Sequence, residues 1–520
     1  MKRFNITGTC NSKQHYMMNN SKIFHQIMRM INFGDYFTIN RPRQYGKTTM
    51  LFQLKNHLKE TEEYLPIQLN FQGIDEKWSE SDSNFAQMFV NDLEDHFRFE
   101  DLNIADFITA QKVKVKDMDS LSSFISQLVH KINKKVVLLI DEVDASSNYE
   151  PFLSFLGMLR KKFLAREEDK HLTFYSVVLA GVHDIKNLKF KLRNPDDVQY
   201  NSPWNIAVDF DVRMSFIPEE IEPMLEQYCE AEGVTMDITA VAKQLYYHTS
   251  GYPFLVSKLC KNIAEKILPK TNKTIWTLDD IDASVQLLLK EDNTNFDSLI
   301  KNLENNRDLY DLTHRIVIDG DEIGFNSDNS TIKKGILYGV YKRNGKVKIH
   351  NRVYEQRIYN YLASKVETQI QTTNYGGSRQ FITEDNGLNF QLVLERFQQF
   401  MKEEFSDKDD NFLERQWRLL FLAFIRPIVN GEGYTFKEVQ VSEEKRLDVV
   451  VTYNQHRYIV ELKRWYSNVY HEKGLSQLAD YLDIHSLESG FLVIFDNRKK
   501  KLWESETIVH DGKTLFVVWV

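Results

Sequence analysis

The stretch KKVVLLIDEVD, Lys134 to Asp144, constrains the fold more than any other part of the chain. A short, uninterrupted apolar run that ends on acids is a strand buried on both faces, and such strands belong to parallel sheets covered by helices. DYFTIN (Asp35 to Asn40), YLPIQLNFQ (Tyr64 to Gln72), LTFYSVVLAGV (Leu172 to Val182) and NIAVDFDVRMSF (Asn205 to Phe216) read as further strands. Amphipathic helical patterns separate them, so the expected fold is α/β with a right-handed parallel sheet.

DYFTIN leads into RPRQYGKTTML, Arg41 to Leu51, which departs from the phosphate-loop pattern G-x-x-x-x-G-K-[ST] at its first position, Arg41. A loop between a strand and a helix N-terminus turns backbone N–H groups toward an anion. Gly46 lets the chain approach phosphates closely, Lys47 reaches the β- and γ-phosphates, and Thr48 ligates Mg²⁺. The first glycine of the pattern eases entry into the loop; Arg41 before Pro42 alters loop shape without removing a reacting group. On the buried strand, Asp141 is placed to hold Mg²⁺ through water and Glu142 to polarise the attacking water. The expected ATP and Mg²⁺ contacts are therefore Arg43, Gln44, Tyr45, Gly46, Lys47, Thr48, Thr49 and Asp141, with Glu142 as the catalytic carboxylate.

At 520 residues the chain exceeds the ~250 that one core encloses, so several domains are expected. A net charge of −8 excludes a general polyanion coat but leaves room for a local basic groove. Cys10, Cys229 and Cys260 lie far apart, which excludes a disulfide framework or a cysteine zinc site and suits a reducing compartment. MKRFNITGTC lacks the apolar core of a signal peptide, and no apolar run approaches ~18 residues. The expectation is a cytoplasmic protein with no membrane partner.

Beyond Phe216 the pattern is helical to about Glu304, broken at TSGYPF. Gly335 to Lys365 reads helix end, hairpin, helix, with Asn344-Gly345 as the turn, which suggests a winged-helix-like module. Val366 to Gln380 lacks an apolar period and reads as a linker. A last domain follows in the order αβββαββ. The expected division is 1–216 (core), 217–304 (helical lid), 305–365 (winged-helix-like), 366–384 (linker) and 385–520.

A second chemistry lies in RLDVVVTYNQHRYIVELKRW. Glu461 and Lys463, two residues apart on one strand, project to the same face. Antiparallel pairing through the Asn454-Gln455 turn brings Asp448 to that face, and two carboxylates at one edge suit Mg²⁺ or Mn²⁺. Glu414, on the preceding helix, supplies a third acid, with Glu438 as its rival. Gln477 and Tyr481 share a face of the next helix.

RPRQYGKTTML, LLIDEVD, SPWNIA (Ser202 to Ala207), SGYPFLV (Ser250 to Val256) and CNSKQHYM (Cys10 to Met17) together resemble the AAA-type ATPases of the STAND-related archaeal and bacterial class. That resemblance covers about residues 1–365. It implies an extra strand between the two Walker strands, matched by YLPIQLNFQ, and a nucleotide-sensing G-x-P turn at Gly251-Tyr252-Pro253. A sensor at His183 and an arginine finger among Arg160, Arg166 and Arg193 stay open. From about residue 385 the chain resembles the exonuclease-like branch of the PD-(D/E)XK nuclease superfamily, although Leu447 stands where the family proline would. The resemblance implies catalytic roles for Glu414, Asp448, Glu461, Lys463, Gln477 and Tyr481, with metal at Asp448 and Glu461. The combined expectation is a nucleotide-gated nuclease acting on DNA, possible as a homo-oligomer. The competing expectation is an ATP-controlled sensing switch whose C-terminal domain binds nucleic acid without cutting.

Overall fold

Four strands, β1 (Tyr36–Asn40), β2 (Tyr64–Asn70), β3 (Lys135–Asp141) and β4 (Ser176–Gly181), form an all-parallel sheet in the order β1-β4-β3-β2. In this computed structural model the description covers all residues except 1, 73–75, 146–148, 169–171, 183–202, 272–273, 320, 368–377, 405–409, 430–432, 437–448, 454–455, 466–467, 497 and 499–500. Every residue of β4, and of β3 after Lys135, is buried, as their unbroken apolar runs require. On one face Phe71, Phe85, Phe89, Phe152 and Phe155 pack edge to face or tilted between the sheet and the helices Asp82–Arg98 and Glu150–Glu167. Burial of each such ring contributes about 1.5–3 kcal/mol. Ser81 accepts the Asn84 N–H and Asp117 accepts the Ser120 N–H, which fixes where two of the covering helices begin.

Two strand expectations change. The strand that separates β1 from β3 in space is β4; YLPIQLNFQ, or β2, lies between them in sequence but outside β3 in the sheet. Asn205–Phe216 does not form a fifth ladder. It makes one bridge, Phe37↔Val208, on the free side of β1, and the Phe210 ring stacks on Phe37 at 6.0 Å. Side-chain stacking takes the place of a backbone ladder there.

The helices Pro218–Glu232, Ile238–Thr249, Pro253–Asn262, Leu278–Lys290 and Thr294–Glu304 follow. Their apolar faces meet the N-terminal segment through Phe4, Tyr16, Tyr228 and Trp276, with the Tyr16 hydroxyl donating to Glu232 at 2.9 Å. Next come the helix Ser330–Leu337, strands β5 (Tyr341–Asn344) and β6 (Lys346–Ile349), and the helix Arg352–Glu367. Gly345, between the two strands, has φ +67°, as the Asn-Gly turn requires. By contact density the chain divides into two compact units. One comprises Met1–Asn305, Phe325–Gly345 and His350–Val353; the other comprises Asn306–Gly324, Lys346–Ile349 and Tyr354–Val520.

In the second unit, β7 (Gly433–Phe436), β8 (Val449–Tyr453), β9 (His456–Arg464), β10 (Ser489–Phe495), β11 (Ser505–His510) and β12 (Lys513–Trp519) form a mixed sheet ordered β11-β12-β10-β9-β8-β7. β9, β10 and β12 run parallel; β7, β8 and β9 form an antiparallel meander, with Tyr453 opposite His456. The helix Asn468–Ile484 covers one face through Leu475, Leu478, Tyr481 and Leu482, against Ile459, Leu492, Ile494 and Val517. The sequence order αβββαββ lacks β11. That strand reads SETIVH and is mostly exposed, so it carries no apolar alternation to betray it. No helix among the described residues is long and apolar enough to cross a membrane.

Candidate nucleotide site and C-terminal acid–lysine cluster

β1 delivers the chain into the loop Arg41–Gly46, and the helix Lys47–Lys59 begins at its end. Gly46 holds φ +82°, a conformation that side chains resist, and caps the helix with its carbonyl on the Met50 N–H. Lys47 is buried, and its ammonium donates to the carbonyls of Arg41 (2.9 Å) and Pro42 (3.0 Å). Burial pulls its pKa below the ordinary lysine value, against the opposing pull of Glu142, Asp144 and Asp141. The Thr48 hydroxyl donates to Asp141 Oδ2 at 2.7 Å, so the helix start and the end of β3 meet through two hard oxygens, a donor set that fits Mg²⁺. Glu142 is half-buried, and burial raises its pKa, with Lys47 opposing. Its backbone sits at φ +54°, a left-handed conformation uncommon for a glutamate, and its N–H donates to Asp141 Oδ1 at 2.9 Å.

Other elements grip the loop. Arg41, the residue in the glycine position, donates to the carbonyls of Asn40 (2.7 Å) and Val212 (2.6 Å) and lies over the Phe210 ring at 4.9 Å. The Tyr252 hydroxyl donates to the Arg43 carbonyl at 2.5 Å. Tyr45 is buried edge-on to Tyr252 and lies 3.1 Å from His350 Nε2. Burial drops the His350 pKa to about 3, so the ring is neutral. Gln44 donates to Thr294, and the Cys10 N–H donates to Thr49 Oγ1 at 3.0 Å, which draws the N-terminal segment to the loop helix.

In the second unit, Lys463 bridges two groups: Glu461 at 2.6 Å and the Gln477 amide oxygen at 3.3 Å. Glu461 is fully buried, whereas Lys463 keeps 21% of its side-chain exposure. The register pairs Leu492 with Glu461 and Ile494 with Lys463, so the acid and the amine lie along a parallel strand pair. Tyr481 is sealed in the apolar core beneath the helix. Asp448 and Glu438 lie outside the described residues. Glu414 lies on the helix Asp410–Val429, and its side chain is likewise outside the description. Among the described residues no three His, Cys, Asp or Glu gather as a metal site.

The family description "AAA-like domain" matches residues 7–358, more than half of the chain. The chain belongs to the AAA-like domain family. Residues after 358 lie outside that match. No curated protein matches the chain. Solved structures are similar at low identity. The Walker-type ATPase of Pyrococcus abyssi is 10% identical over 68% of this chain and 99% of its own, with a TM-score of 0.45. The Aeropyrum pernix ORC2 protein is 11% identical over 70% and 96%, at 0.37. The Thermotoga maritima RuvB Holliday junction branch migration motor is 12% identical over 69% and 98%, at 0.34.

Within the AAA-like domain the expected residues converge unevenly. Lys47, Thr48, Asp141 and Glu142 share one locus, Tyr45 points its hydroxyl at His350, and Thr49 faces the N-terminal segment. His183, Arg193 and Ser202 lie outside the described residues. Arg166 is spent on the carbonyls of Gly34, Phe174 and Tyr175 beneath the sheet, which leaves it unsuited to be a finger. The contacts of Arg41 and His350 went unread in the sequence. Arg41 was visible as an anomaly without a role, and nothing local ties His350 to a loop some 300 residues earlier.

Proposed function

We propose that the AAA-like domain binds and hydrolyses ATP at Arg43–Thr49, Asp141 and Glu142. The observation that carries this reading is the Thr48–Asp141 contact beside the buried Lys47 ammonium. Loop N–H groups and Lys47 would cradle the phosphates; Thr48 and Asp141 would hold Mg²⁺, which when bound neutralises charge on the β- and γ-oxygens. Glu142, held at a fixed angle by its own backbone, orients water and accepts its proton. Nucleotide binding displaces the Lys47 ammonium from the Arg41 and Pro42 carbonyls, since those oxygens occupy the donors that the phosphates need. The test is phosphate release with ATP and Mg²⁺ beside Glu142→Gln, which keeps binding but loses turnover. A wild-type protein that binds no nucleotide defeats the reading.

For the second unit we propose a metal-dependent nuclease in which ATP controls the cutting of DNA, in defence against or maintenance of mobile DNA. The Glu461–Lys463–Gln477 cluster favours it. Glu461 with Asp448 would hold Mg²⁺ or Mn²⁺, and Glu414 would act as the helix acid. When bound, the metal supplies charge to polarise a phosphodiester. Lys463, positioned by Gln477, orients the attacking water, while the buried Tyr481 braces the helix that presents Gln477. Cleavage of plasmid with Mn²⁺, lost in Glu461→Ala, is the expected result. Binding of DNA without cleavage under every metal leaves the ATP-controlled switch instead. Cytoplasmic location and a homo-oligomeric assembly accompany this reading.

A further inference from the structure

The geometry points to Asp144, the last acid of DEVD, as a positioning residue for Glu142, and this inference rests on the hydrolytic reading above. After Asp141 the chain turns through Glu142 in its left-handed conformation and a short 3-10 turn, Val143–Ala145. The turn sends the Asp144 carboxylate sideways to the end of the neighbouring β4, where Oδ2 accepts the Val182 N–H at 2.6 Å. The residue before Val182 closes the other side: the Gly181 carbonyl accepts the Arg41 N–H at 3.2 Å. One dipeptide, Gly181-Val182, thus joins the mouth of the phosphate loop to the acid turn. The Glu142 backbone conformation persists only where its surroundings over-determine it, and the Asp144 bond anchors the turn on its C-terminal side as the Asp141 Oδ1 bond does at the start.

Gly181 gives independent support. A Cβ there would lie 2.8 Å from Asp144 Oδ1 and 2.9 Å from Val143 Cγ2, closer than packed atoms tolerate. Only glycine lets β4 end flush against the turn, so the carboxylate and the backbone beside it fit as one unit. Phosphate contacts come from the loop and Lys47, to which the Asp144 bond connects only indirectly, through the Gly181 carbonyl on the Arg41 N–H and through the Asp144 charge near Lys47. Loss of that bond therefore releases Glu142 while leaving nucleotide binding in place.

The test compares Asp144→Ala, Asp144→Asn and Gly181→Ala in the full chain. Asp144→Ala and Gly181→Ala should each lower kcat by about 10- to 100-fold, as a misplaced water-orienting group does, with nucleotide Kd within about threefold of wild type. Asp144→Asn keeps an acceptor oxygen and should recover most of the rate. Hydrogen exchange at the Val182 amide, read by mass spectrometry, should quicken in Asp144→Ala but not in Asp144→Asn. Unchanged kcat in Asp144→Ala, or a matched loss of binding and turnover, overturns the proposal. A wild-type protein that turns over no ATP removes the hydrolytic reading; the Asp144 tie then stands or falls on the Val182 amide, and slow exchange in Asp144→Ala overturns it.

Discussion

The two acid clusters of this chain are built on the same plan but held to different degrees. Both set an acid beside a lysine, the first at the end of β3 and the second within β9. At the loop, Lys47 lies against backbone carbonyls while the acids bond to Thr48 and to the backbone, so ammonium and carboxylates are satisfied separately. At Glu461 the lysine lies directly on the acid at 2.6 Å, so each charge is spent on the other. The first arrangement leaves groups that a polyanion and its cation can recruit together. The second must be opened before a metal can enter. The proposed nucleotide site and the Glu461–Lys463 ion pair are therefore expected to respond differently to the same kind of substitution.

The largest expected effect is at the loop. Lys47→Ala should lower ATP turnover by about 100- to 1000-fold, since a buried donor aimed at developing phosphate charge is lost, and phosphate release measures it. Unaltered turnover would break the comparison on its first side. Lys463→Met tests the other side through stability. It strands the fully buried Glu461 without its ammonium and should destabilise the chain by up to about 3 kcal/mol, discounted because Lys463 is part-exposed, with a lower urea midpoint. Glu461→Gln with Lys463→Met should restore much of that loss if the pair's role is structural, whereas a cutting role loses cleavage in every one of these variants.

Smaller effects come from the groups that grip the loop. Tyr252→Phe deletes one hydrogen bond to the Arg43 carbonyl and should cost about 1 kcal/mol in thermal unfolding, with nucleotide affinity changed severalfold or less. His350 gives a pH signature. Its folded pKa, about 3, lies below the ordinary 6.5, so the unfolded chain takes up the proton first. Its contribution to stability is complete above about 6.5 and is lost as pH falls toward 3, so the melting temperature should drop through that window. His350→Gln should flatten the drop.

How much of this was legible in the sequence follows from the range of the signals. β3 and β4 were plain because a strand buried on both faces needs an unbroken apolar run. The loop, Asp141 and Glu142 were read from residue type and spacing, and the fold brings Thr48 onto Asp141. Asn205–Phe216 misled because its apolar residues stack by side chain on β1 instead of forming a ladder, and stacking leaves the same pattern as pairing. β11 was missed for the opposite reason, since a hydrated edge strand needs no pattern. The Tyr45–His350 contact is beyond local reading, because only the fold sets that distance. Glu461 and Lys463 were read on one face from strand periodicity, and they meet. Gln477 was joined to them only by the family resemblance, and its amide oxygen lies 3.3 Å from the Lys463 ammonium. Periodicity gives no hint that the acid would be fully enclosed.

Arg41 carries one more consequence. Because its guanidinium grasps the Val212 carbonyl and caps the Phe210 ring, the Arg41 side chain fastens the mouth of the loop to the 208–212 segment. Restoring glycine at position 41 would therefore recreate a familiar signature while cutting that rivet, and whatever loosens the segment would slacken the loop at the same moment.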